Sequence, residues 1–378
     1  MSLPSPAVIV LDRAASPVED LLGEVPNQAA VFLVWAEEGA PYLGRTTALR
    51  RRLLRLMRPP ERPSRFLNLS AVARRVEYWL AGSKLETSLL FYRLAKRHFT
   101  ESYPKLLKLR FPLYVKIILA NQFPRSQVTA RLGGRTALFY GPFRTRSSAE
   151  EFESQFLDLF QMRRCQEDLV PAPDHPGCIY GEMNMCLRPC QQVVTEEEYR
   201  SETERVVEFL KTGGASLVTS IAAARDRLSA EMEFEEAARQ HKRLEKVQQV
   251  LKLRDELVTD VERLNGVAIT RSPELNAVDL HMVLQGGWLP ARRFDYAAGA
   301  GLPVSLDHQL RELMESAEAP RISTREKEEH LALLARWFYS TWRDGEWIPF
   351  PSLKGVPYRK LVRAISRVAA TPGQESSA

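Results

Sequence analysis

Hydrophobic and polar positions alternate along this chain in stretches that define most of its elements. Residues 29–36 (AAVFLVWA) form a continuous apolar run of strand length. A Glu-Glu-Gly turn follows, and residues 41–43 return as a second strand. Thr46 or Thr47 is placed to cap a helix running to about Met57, with Leu49, Leu53, Leu56 and Met57 on its inner face. Pro59 and Pro60 end it. A second helix is predicted over residues 84–99, its apolar side made by Leu85, Leu89, Leu90 and Leu94. Residues 113–119 and 127–132 read as strands. The pattern S147-x-x-E150 reads as a capping box that opens a helix to about Phe160, with Phe152, Phe156, Leu159 and Phe160 buried.

A second capping box, Thr195 with Glu198, precedes a helix that stops at Gly213-Gly214. Residues 216–264 are helical in pattern, with a break near 231–235. Leu228, Met232, Leu244, Val247, Leu251 and Leu257 mark the seam of a helical hairpin or short coiled coil. Residues 266–270, 278–284 and 288–294 read as three antiparallel strands, the last two joined at Gln285-Gly286-Gly287. A helix at about 325–342 and a basic helix at 358–369 complete the chain. Residues 1–26 read as an irregular lead-in and residues 371–378 as disordered. The expected class is α+β, in five segments: 26–110, 111–195, 196–264, 265–350 and 351–378.

Charge sharpens this picture. The chain carries a net +6, yet residues 41–110 alone hold 17 Lys+Arg against 4 Asp+Glu. The remainder is net acidic. A basic part and an acidic part fit two partners, a polyanion for the first and a protein for the second. Arg50, Arg51, Arg52, Arg55 and Arg58 crowd the outer surface of the first helix. No stretch approaches the roughly 20 apolar residues of a membrane span. The N-terminus, MSLPSPAVIVLDRAASPVED, shows no basic n-region or long apolar run, so the expected location is cytoplasmic.

All four cysteines, Cys165, Cys178, Cys186 and Cys190, fall in one window with the spacing C-x12-C-x7-C-x3-C. Four thiols so gathered are the ligand set of one tetrahedral metal or one iron–sulfur cluster. Disulfides would need an oxidising compartment. Structural zinc usually uses a C-x2-C pair, which is missing here, although His175 offers a substitute for one thiolate. Spacing alone leaves zinc and iron–sulfur open.

Three segments in order resemble the N-terminal portion of the UvrC family of the ABC excinuclease. AVFLVWAEEGAPYLGRTTALRRRL, from Ala30, resembles its GIY-YIG nuclease opening. FYGPFRTRSSAEEF followed by RRC…C…C…RPC resembles its cysteine region. MEFEEAARQHKRL, from Met232, resembles its UVR helical hairpin. The resemblance covers roughly residues 26–350. It implies a four-iron four-sulfur cluster on the four cysteines, with zinc the alternative. It implies DNA as a partner, and UvrB, the companion protein of the same excinuclease, docking on the 230–262 hairpin. Segment 265–350 is similar to the opening part of the family's RNase H-like domain, whose acidic triad and helix-hairpin-helix motifs are not reached.

In GIY-YIG nucleases a tyrosine of the second triplet helps activate water, a helix arginine clamps phosphate and a glutamate seats Mg or Mn. Tyr42 and Arg52 match the first two. Arg45 stands where a lysine is usual, and Arg45, Arg50, Arg51 and Arg55 are the expected DNA-binding set. The departures are Phe32 for the first-triplet tyrosine, Tyr92 at the glutamate position and Pro104 at the asparagine position. Glu86 lies six residues before Tyr92, which turns it away from that position. Without a carboxylate, Mg has no strong protein anchor. The expected function is DNA binding in nucleotide excision repair with hydrolysis weak or lost. An active nicking endonuclease and a non-enzymatic hairpin protein are the alternatives.

Overall fold

The computed structural model describes residues 3–11, 17–59, 67–134, 136–296 and 305–370. The architecture is α+β, with three antiparallel sheets and helices on their faces. The predicted tail at 371–378 and Pro60 lie outside the described residues.

The first sheet has the order β1 (Ala7–Val10), β4 (Arg75–Leu80), β2 (Ala30–Trp35), β3 (Tyr42–Thr46). The strand β1 lies inside the expected irregular lead-in and pairs with β4 along Ala7 to Tyr78. A short helix α1 (Val18–Leu21) and the helix α2 (Leu49–Met57) cover one face, and α3 (Lys84–His98) covers the other. The β2 run is apolar throughout because both its faces are covered. Ala30, Phe32 and Val34 face α2, whereas Val31 and Leu33 face α3. Then comes α4 (Tyr103–Leu107).

The second sheet has the order β6 (Arg125–Thr129), β5 (Leu113–Ile118), β7 (Ala137–Phe143), β8 (Thr259–Asp260). On it pack α5 (Arg146–Leu157), α7 (Glu196–Lys211) and the hairpin α8 (Ala215–Ala230) and α9 (Phe234–Lys252), through Phe152, Phe156, Phe160, Phe209 and Val247. The short α6 (Ile179–Glu182) lies in the cysteine loop. Thr145, not Ser147, caps α5, in a box with Ser148. The Thr195–Glu198 box stands as read, with Glu198 Oε2 accepting from Thr195 N at 2.8 Å. The hairpin closes at an exposed Met232, and α9 ends at Lys252. Leu257 therefore belongs to a different core from the hairpin seam.

The third sheet runs β11 (Gly287–Trp288), β10 (Ala277–Leu284), β9 (Gly266–Arg271), β13 (Glu346–Pro349), with β12 (Arg292–Asp295) also on β10. The predicted third strand is thus split in two. Helices α10 (Leu306–Glu315) and α12 (Tyr358–Ala370) pack on one face, and α11 (Thr324–Phe338) links the sheet to α3. One core gathers Leu85, Tyr92, Tyr114, Leu257, Trp288 and Trp337, so the first, second and third sheets share an interior.

Candidate nucleic-acid interface and cysteine cavity

On the α2 face of the first sheet, Arg52 Nη2 donates to Tyr42 Oη at 3.3 Å. The two residues predicted for phosphate chemistry are brought together by the packing of α2 on the sheet, where β3 presents Tyr42 beside Phe32, whose ring centroid lies 6.1 Å away. Gly44 is required there, because a Cβ would meet the Phe32 ring at 2.4 Å. The first turn of α2 carries arginines and no acid. The helix dipole makes that end positive already, so the arrangement costs stability and concentrates positive potential. The Arg51 and Arg55 side chains are exposed. Arg50 is partly spent on structure, its Nε donating to Val25 O at 2.7 Å. Arg45 projects to the opposite, α3 face, over the Phe91 ring at 5.1 Å, where burial and the nearby Arg336 charge lower its pKa.

Tyr92 is buried under α11. Its hydroxyl donates to Glu329 Oε2 at 2.9 Å, and Tyr103 donates to Glu329 Oε1 at 2.7 Å. Burial first, then the Glu329 charge, pushes the Tyr92 pKa up, so it stays a neutral donor. Pro104 is exposed at the start of α4. Glu86 points elsewhere. Its Oε2 accepts from Gly82 N at 2.8 Å, and burial, then Asp279 on β10, raises its pKa to about 8. Asp279 in turn takes Arg293 Nε at 3.1 Å. No signal in sequence joined Glu86 to Asp279, which comes from a different sheet.

Cys165, Cys178, Cys186 and Cys190 line one cavity together with Arg163, Arg164 and Arg188. The loop is held from outside: buried Arg163 donates to Phe123 O at 3.0 Å and Glu167 O at 2.8 Å. Its Nη1 also lies 3.3 Å from Cys165 Sγ, and Arg188 N donates to Cys186 Sγ at 3.4 Å. Burial raises the Cys186 thiol to about 11 and also raises Cys190. His175 does not line this cavity, and its Nδ1 accepts from Gly177 N at 3.0 Å. Among the described residues no group of three or more His, Cys, Asp and Glu is arranged to hold a metal ion.

Residues 113–209, the segment that contains all four cysteines, match the family described as UvrC/Cho excinuclease, middle domain. Over about three quarters of its length the chain is similar to UvrC. It is 27% identical over 284 residues to the UvrABC system protein C of Moorella thermoacetica, covering 75% of this chain and 46% of that protein. With the UvrABC system protein C of Desulfatibacillum aliphaticivorans it shares 26% identity over 287 residues, 74% of this chain and 47% of the relative. The protein of the same name from Methanothermobacter thermautotrophicus is 26% identical over 266 residues, 70% of this chain and 44% of the relative. The chain thus spans about half the length of these UvrC relatives. No solved structure matches it. No single described helix is long and apolar enough to cross a membrane.

Proposed function

We propose that this chain is a UvrC-like DNA-binding protein of nucleotide excision repair whose GIY-YIG-type domain has weak or lost hydrolytic power. The observation that carries the reading is the contrast between two sites. Tyr42 and Arg52 stay paired beside an arginine-lined helix. Tyr92, at the position the family gives to its metal-seating glutamate, is closed into a buried contact with Glu329. Arginines that bind ground state and transition state alike hold DNA without accelerating its hydrolysis. Glu86 offers no substitute ligand, being tied to Gly82 and faced by Asp279. A nicking assay on damaged plasmid with Mg or Mn, run beside salt-dependent DNA retention, tests this. Retention without nicking is the expected result; ion-dependent nicking abolished by Tyr42→Phe or Arg52→Ala overturns it.

The four cysteines are the proposed ligands of a four-iron four-sulfur cluster. A single tetrahedral zinc would draw its sulfurs to about 3.8 Å of one another, given Zn–S near 2.3 Å. Four thiols on one cavity support a shared group, and the family resemblance favours the cluster. The donors from Arg163 and Arg188 to sulfur are of the kind that tune such clusters. When bound, the group would supply a covalent tie and a one-electron couple. Iron and sulfide in anaerobically purified protein support it, and zinc alone rejects it. Exposed Met232 and Phe234 at the hairpin tip are the proposed docking point for UvrB.

A further inference from the structure

A cleft of about 450 Å³ opens between α4, the segment after β6 and the start of α11. Its walls hold Tyr103, Phe111, Lys108, Arg131 and Arg325. They repeat one device twice. Arg131 lies over the Phe111 ring at 4.7 Å and pairs with Glu328 at 3.0 Å; the Arg131 side chain is 66% exposed and that of Glu328 is 8%. Arg325 lies over the Tyr103 ring at 5.9 Å and reaches Glu329 at 3.5 Å; here the exposures are 68% and 5%. Each guanidinium is thus backed by an aromatic ring and anchored at its edge by a buried carboxylate, with its other side open to solvent.

The anchors are themselves fixed. Glu328 Oε1 takes Leu132 N at 2.7 Å, and Glu329 takes the Tyr92 and Tyr103 hydroxyls. Burying two carboxylates is costly, and apolar residues of the same size serve stability as well or better. What the carboxylates add is rigidity: two flat, cationic plates held in place before any ligand arrives. Lys108, exposed at the rim with a left-handed backbone (φ 47°), adds a third charge without a plane.

Resting on the DNA-binding reading above, we propose that this cleft receives an unstacked nucleotide of a single strand. Its base would lie on the Arg131 and Arg325 planes and its phosphate against Lys108. Guanidinium planes and aromatic rings are the general platforms for unpaired bases, and a cation at the rim suits the adjoining phosphate. A duplex keeps its bases stacked inside and cannot fill the cleft. The acidic floor is already saturated by protein donors, so it repels little and contacts no phosphate.

The test uses the full chain and a single-stranded oligonucleotide carrying one 2-aminopurine, whose fluorescence is quenched by stacking on neighbouring bases and recovers when it is drawn away from them. The expected result is a saturable rise in emission with the wild type. Arg131→Lys keeps the charge and loses the plane, so the rise should disappear and single-strand affinity fall about tenfold. Its duplex affinity and salt slope should stay unchanged. Arg325→Ala, which leaves Glu329 its two tyrosine donors, should weaken the rise independently and guards against misfolding of the first variant. Emission rise and affinity at wild-type level in both variants overturns the cleft. Wild type that retains DNA without the rise overturns the cleft alone; wild type that retains neither single strand nor duplex overturns the DNA-binding reading with it. Adenosine monophosphate that binds the wild type saturably while the strand shows no rise also overturns the proposal, assigning the site to a free nucleotide.

Discussion

At the scale of single residues, the buried titratable groups set a pH window for stability. Glu86 binds its proton more tightly in the folded chain than its ordinary 4.5, with a pKa of about 8. Between those values the native state holds more protons than the unfolded one, so this contribution is full below pH 4.5 and is lost as pH rises through 8. The groups around it are Asp279, Arg293 and Arg93, with Gly82 N on its own segment. Glu86→Gln keeps an acceptor for Gly82, so thermal melting of the variant should vary less between about pH 5 and 9 than that of the wild type. His281 and His330 act oppositely: burial lowers both to about 3, so stability falls as pH drops below 6.5. On the proposed reading, Tyr92→Glu, which installs the residue type the resemblance places there, should produce no cleavage and should lower the melting temperature by several degrees. It sets a second carboxylate against buried Glu329, and plasmid nicking together with thermal melting checks both. The family resemblance singled out Tyr42, Arg52 and Tyr92. It did not give Glu329 or Asp279 as their neighbours or as those of Glu86, since both arrive from more than 180 positions away.

At the scale of elements, strong periodicity was legible. The α3 helix, the β2 run and the Thr195 box follow from local pattern, and α12 ends within a residue of the expected place. Thr195→Ala should cost about 1 kcal/mol by urea unfolding, the usual value of an N-cap side chain. What pattern hid has physical reasons. The sequence ALFYGPF has no clean alternation and carries Gly141-Pro142, so it becomes β7 only through pairing with β5 and β8. The strand β13 is four residues ending in Pro349, too short to signal itself. The helix α10 did carry a signal, Leu306, Leu310, Leu313 and Met314 at helical spacing. The cysteine loop has little regular structure, so its order rests on side chains such as Arg163. Cys186→Ala should destabilise residues 160–195, seen as faster amide exchange there.

At the scale of the whole molecule, the charge asymmetry read from composition resolves into surfaces of different kinds. The α2 arginines face solvent. Others in the basic stretch are engaged within the chain: Arg58 in an exposed pair with Glu19, Lys96 with Glu326, and Arg93 with its guanidinium nitrogens Nε and Nη2 buried against the body of the protein. Fewer cations are free to meet phosphate than the sequence count implies. Arg51→Glu with Arg55→Glu should lower the slope of log affinity against log salt for duplex DNA by about 2, checked by filter retention at several ionic strengths.

The interior shared by Tyr92, Trp288 and Trp337 joins what composition separates. The segment edges drawn along the chain are therefore not seams at which it can be divided. Expressing residues 1–110 by themselves would strip the cover from Leu85, Leu89 and Tyr92, and a recombination event that swapped the C-terminal third would need to bring a matching tryptophan pair with it. A change at Tyr92 is thereby felt at the far end of the chain, where Trp288 and Trp337 close over the same interior.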